Sequence, residues 1–193
     1  MEMKLYAAPW AKPSLTDEAA QAVEILGDGL WADASVHFYA ERDAKMSAGQ
    51  RAPKGMQSTL NALLCERFVK NGWMGDAGYF VKGRTWLRVT FRHQMSLGSD
   101  IVDAIKVCKK EGIELAIIAA ADNETLKIIS PNDANVLVSF EKLQREVQSL
   151  DGALDIPLLI ARLTPKTRAS KAIDDELRKG RPRDITVPSA KGD

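Results

Sequence analysis

Four cations, Lys82, Arg84, Arg88 and Arg92, fall within a stretch that holds no acidic residue between Asp76 and Asp100. On a strand face that lines a cleft, such guanidinium and ammonium groups can hold phosphates through charge-assisted hydrogen bonds. Strand alternation puts Leu87, Val89 and Phe91 on one face, and Trp86, Arg88, Thr90 and Arg92 on the other. The same arginines also suit a solvated outer face, or ion pairs to a neighbouring element. Trp86 among them is placed to stack on a base, to meet a partner's surface, or to lie under the N-terminal segment. A second basic run, Arg178-Lys179-Gly180-Arg181-Pro182-Arg183, lies near the C-terminus.

The other reactive side chains form no constellation. His37 and His93 are the two histidines, and neither belongs to a nucleophile–base–carboxylate set. Cys65 and Cys108 lack C-x-x-C spacing and a nearby histidine. Structural zinc takes four ligands, so both read as buried free thiols. No P-loop or dinucleotide-binding glycine motif is present, since Gly27 and Gly29 follow a helix and not a strand. Glu66, Asp76 and Asp100 flank the basic stretch without a tight spacing. Asp100 reads as a helix-start charge, and the other two as solvated carboxylates.

These side chains are positioned by a mixed series of elements. Thr16 to Leu26 reads as a helix capped by Thr16, and 27–56 as an irregular segment with one strand-like run, Ser35 to Tyr39. Ser58 to Asn71 is a helix with Leu60, Leu63, Leu64 and Phe68 on one face. Tyr79 to Lys82 and Thr85 to Phe91 form a hairpin across Gly83. A helix opens at Ser99 and Asp100 and stops at Gly112, before the buried-strand run Ile113 to Ala119. Leu126 to Ile129 reads as a weaker strand, Ser139 to Ser149 as a helix, and Pro157 to Leu163 as a last strand. This mixture indicates an α/β layer fold with a central mixed sheet flanked by helices over residues 1–165. From Thr164 no apolar period survives, so 166–193 reads as an extended, flexible basic tail.

Three parts of this pattern resemble one family. They are Leu60-Asn61-x-x-Leu64 with Phe68-x-x-x-Gly72-Trp73, then Phe80-Val81-Lys82 leading into Leu87-Arg88-Val89-Thr90-Phe91, then Ile156-Pro157-Leu158-Leu159-Ile160 closing on Thr164-Pro165. Together, over about residues 56–165, they resemble type II restriction endonucleases of the BglII/BstYI group, with a PD-(D/E)xK nuclease-like core. The resemblance implies a homodimer on duplex DNA, a palindromic GATC-centred target and magnesium-dependent phosphodiester cleavage. It also implies an Asp at the start of the hairpin and Glu-x-Gln or Glu-x-Lys on its second strand, because magnesium takes hard anionic oxygens. Here those positions are Tyr79, Arg88 and Thr90. A guanidinium at a metal position repels the ion. Within the tail, Lys179-Gly180-Arg181-Pro182 is similar to an AT-hook, which lies in a narrow A·T minor groove.

The expectation is therefore a nuclease-like protein that binds duplex DNA and has lost its metal site. Lys82, Arg84, Arg88, Arg92, Lys179, Arg181 and Arg183 would be its contacts, with no cofactor. One alternative is an active magnesium-dependent endonuclease with ligands relocated to Asp76, Glu66 or Asp100. Another is a structural subunit bound to a protein partner. The 193 residues carry 45% hydrophobic side chains and a formal charge of +1. Those values fit one globular domain and argue against a strongly basic coat protein or an acidic disordered chain. The total hides an uneven distribution, since Arg162 onward holds nine Lys/Arg against five Asp/Glu. The longest apolar run, Leu115 to Ala121, is too short to span a bilayer, and a cytoplasmic protein is expected.

Overall fold

Strand alternation and helical apolar stripes sort the described residues into three layers. The computed structural model describes residues 1–165 apart from 28, 77 and 151. The elements run β1 (Glu2–Ala7), α1 (Asp17–Gly27), α2 (Leu30–Ser47), α3 (Gln57–Lys70), β2 (Met74–Asp76), β3 (Tyr79–Lys82), β4 (Thr85–Thr90), α4 (Leu97–Lys110), β5 (Leu115–Ala121), α5 (Asn123–Ile129), α6 (Phe140–Ser149) and β6 (Leu158–Thr164). The strands form a six-stranded sheet in the order β1-β6-β5-β4-β3-β2. Its centre, β4 to β6, is parallel, whereas β2 and β3 continue antiparallel from β4 and β1 is antiparallel to β6.

Period-2 alternation explains how both faces are covered. Leu87, Val89, Ile117, Ala119, Leu159 and Ala161 join the core under α1, α2, α3 and α5. Trp86, Ala116, Ile118, Leu158 and Ile160 pack instead beneath α4 and α6. Central parallel strands need apolar side chains on both faces, and β5 is buried at every position. The α3 face is fixed by Phe68, whose ring stacks on Phe80 at 4.3 Å and meets Trp73 edge-on at 5.2 Å. Phe68 is fully buried. Burial of a side chain of this kind contributes about 1.5–3 kcal/mol.

The helix starts follow their caps. Thr16 Oγ1 accepts from the Ala19 N–H at 3.1 Å, and Ser139 Oγ accepts from the Lys142 N–H at 3.3 Å. The α3 helix, the β3–β4 hairpin, α4, α6 and β6 fall within two residues of their expected positions. Two expectations are corrected, and one strand lies where none was expected. Residues 30–47 are helix α2, not an irregular segment, and Ser35 to Tyr39 lies inside it. That helix buries only Leu30, Trp31, Ala34, Ser35 and Tyr39, so most of its surface is polar and its period is weak. Residues 126–129 belong to α5, because Asp122 Oδ1 accepts from the Thr125 N–H at 2.8 Å and starts a helix there. Finally, Glu2–Ala7 is an edge strand that composition does not announce: of its six residues only Met3 is buried. Among the described residues no helix is long and apolar enough to cross a membrane.

Candidate nucleic-acid interface

Strand β4 and helix α4 bring two of the expected cations onto one carboxylate. Arg88 points from the middle of β4 to the α4 side of the sheet, and Arg92 lies just beyond the strand. Asp100, in the first turn of α4, meets both. Arg88 Nε donates to Asp100 Oδ1 at 3.2 Å, and Arg92 Nη1 donates to the same oxygen at 2.8 Å. The Asp100 side chain is 0% exposed, that of Arg88 14% and that of Arg92 43%. Two guanidiniums against one carboxylate leave the three groups together with one net positive charge, and Arg92 is the more exposed of the two cations. Asp100 Oδ2 is buried and has no hydrogen-bond partner among the described residues.

The face that alternation assigned to Trp86, Arg88 and Thr90 is real, but α4 covers most of it. Trp86 is 1% exposed and Thr90 0%. Trp86 therefore packs inside the protein, with Tyr79 edge-on at 5.9 Å. The other two hairpin cations lie elsewhere. Lys82 Nζ donates to Gln21 Oε1 and to the Asn71 carbonyl, each at 2.8 Å, on the opposite face of the sheet under α1 and α3. Arg84 occupies the hairpin end, where Nε donates to the Gly112 carbonyl at 3.2 Å and Nη1 pairs with Glu114. The four cations therefore occupy three places, and only Arg88 and Arg92 are joined. Lys179, Arg181 and Arg183 lie outside the described residues.

No family model, no curated protein and no solved structure matches this chain. Chemistry is therefore read from the side chains alone. The positions that the restriction-endonuclease resemblance assigns to magnesium ligands do not suit the ion. Tyr79 and Arg88 are register neighbours across β3 and β4, and Thr90 follows beyond them. Asp76 stands opposite Tyr79 at the end of β2 and is exposed, while Asp100 is committed to the two arginines. Glu66 faces a cavity of about 450 Å³ between α2 and α3, lined also by His37, Leu63 and Arg67. Among the described residues, no three His, Cys, Asp or Glu side chains gather as a metal site.

A further ionic cluster, built around the single arginine Arg162, lies along the carboxyl ends of the parallel strands. Thr90, Ala120 and Arg162 are in register across β4, β5 and β6. Arg162 Nε donates to Asp122 Oδ2 at 3.3 Å, Nη2 lies 3.7 Å from Glu141, and the guanidinium stands 5.8 Å above the Phe140 ring. Burial pushes the Asp122 carboxyl up. The Thr125 N–H and hydroxyl, the Thr164 hydroxyl and Arg162 outweigh it, so the group is held below its ordinary 3.8. Beside this row, residues 93–96 form a tight turn. The Arg92 carbonyl accepts from the Val138 N–H at 2.9 Å, and His93 bridges to Leu137.

Sequence reasoning missed the role of Asp100, although a signal was present. Leu97, Asp100, Ile101, Ala104 and Val107 are the buried residues of α4, so Asp100 occupies the apolar stripe of its helix. A carboxylate at such a position needs a cation from the facing element. Arg162 was readable in the same way, as a lone charge within an apolar strand.

Proposed function

We propose that this chain binds duplex nucleic acid through its phosphate backbone and does not cleave it. The observation that carries the reading is the shared Asp100: with Arg88 and Arg92 it forms a cluster of net charge +1 whose exposed member is Arg92. A guanidinium has five N–H donors, and Asp100 uses one of Arg92's, so the remainder suit phosphate oxygens. The resemblance over 56–165 supports the nuclease-like part of the reading, and Tyr79, Arg88 and Thr90 at the ligand positions support the loss of cleavage. The basic run at 178–183 adds sequence-independent affinity, and a homodimer in the cytoplasm is the arrangement that accords with the resemblance.

Retention of a labelled duplex by the full chain at low salt tests binding, and a nicking assay in magnesium and manganese tests cleavage. Retention without nicking is the expected result. Cleavage that is lost on Asp76→Asn, or on Asp100→Asn in a chain whose urea midpoint shows it still folded, favours an enzyme with relocated ligands. Purification in a stable protein complex, with no retention of duplex, favours a structural subunit.

A further inference from the structure

The turn after β4 presents Met95, which is 83% exposed, more than any other large hydrophobic side chain recorded among the described residues. This exposure does not come from a loose backbone. The Met95 N–H donates to His93 Nδ1 at 3.2 Å, and the Ser96 N–H donates to the His93 carbonyl at 2.8 Å. The same turn is tied across to residues 137 and 138 by the His93–Leu137 bridge and the Val138–Arg92 hydrogen bond. Met95 is thus held outward at the tip of a pinned turn, three residues after the more exposed arginine.

Arg92 opens the turn and supplies the cation beside it, while Lys142 Nζ ties the facing segment through the Asn135 and Leu137 carbonyls at 2.6 and 2.9 Å. The carboxylate that Arg92 contacts, Asp100, is buried behind it. An unbranched, polarizable thioether side chain adapts to an irregular apolar slot. Methionine is one of the apolar residues that enter a base step from the minor groove and partly unstack it.

We infer that Met95 is a wedge that inserts into a base step of duplex DNA from the minor groove while Arg92 holds a neighbouring phosphate. This rests on the nucleic-acid reading above. The occupant is the duplex of that reading, because the exposed guanidinium of Arg92 and the exposed side chain of Met95 lie on one short turn. A rigid turn also enters the stack without first having to be ordered.

The test uses the full chain and a duplex carrying 2-aminopurine, whose fluorescence rises when it unstacks, with anisotropy of an end label followed in parallel. The expected result is a fluorescence rise on binding that is lost in Met95→Ala and kept in Met95→Leu. Binding by anisotropy without a fluorescence rise overturns the wedge and leaves the nucleic-acid reading standing. The same rise in Met95→Ala also overturns it. A chain that gives no anisotropy change at low salt overturns the nucleic-acid reading itself, and the wedge with it.

Discussion

Arg92 Nη1 lies 2.8 Å from Asp100 Oδ1, the same oxygen that Arg88 Nε reaches at 3.2 Å. Sharing one acceptor makes the two arginines unequal. Arg88 is the inner partner, and it neutralises Asp100 where water does not reach. Arg92 is the outer one, and losing it leaves Asp100 still paired.

Asp100→Ala should therefore destabilise the fold strongly, because it strands Arg88 in a largely buried position. Breaking a buried pair from one side costs about 3–5 kcal/mol. Arg92→Gln should cost about 1 kcal/mol or less, since its partner retains Arg88 and the pair is half open to solvent. The joint change Arg88→Met with Asp100→Leu should recover much of the loss of the single Asp100 variant. Urea denaturation of the four proteins checks the order. An Asp100→Ala chain as stable as the parent would contradict the assignment.

Asp122 links stability to acid. Its carboxyl is held below the ordinary 3.8, so its contribution is complete above that value and is lost as pH falls through the folded value. As the cap of α5 it should contribute about 1–2 kcal/mol near neutrality, measured as the cost of Asp122→Ala. That cost should shrink when denaturation is repeated below pH 4. A cost independent of pH would contradict the sign.

Cys108 should be inert. Burial pushes its thiol up to about 11, with Lys109 opposing the shift only in part. The thiolate is the reactive form, so roughly one thiol in a thousand would be available at pH 8. Alkylation followed by mass spectrometry should leave Cys108 unmodified at pH 8, with labelling that climbs towards pH 11. Complete labelling of Cys108 at pH 8 would contradict this.

Elements that bury one clear face were legible in the sequence. The stripe Leu60, Leu63, Leu64, Phe68 marks α3, the alternation through Leu87, Val89 and Phe91 marks β4, and the unbroken apolar run marks β5. Helix α2 was hidden because only a few of its eighteen residues are buried, which leaves little period to detect. Strand β1 is hidden for a related reason, because an edge strand pairs on one side and keeps polar residues such as Lys4 exposed. For Leu126 to Ile129 a local cap decided the outcome: Asp122 begins a helix where apolar content alone suggests a strand. The basic character of the hairpin was legible as well, but its division among three places was not. Alternation gives the face of a strand and not what covers it. Lys82 pairs with a side chain on α1 and Arg88 with one on α4, and such partners are distant in sequence.

The most direct measurement is the salt dependence of duplex binding by the full chain, with and without Arg92→Gln, read by fluorescence anisotropy. Each phosphate contact contributes about −0.9 to the slope of log K against log salt. The parent chain should retain duplex at low salt and release it steeply as salt rises. Arg92→Gln should make that slope shallower by about 1 and weaken binding alike across unrelated sequences. No retention of duplex at low salt, or a slope that Arg92→Gln leaves unchanged, would contradict a phosphate contact at Arg92.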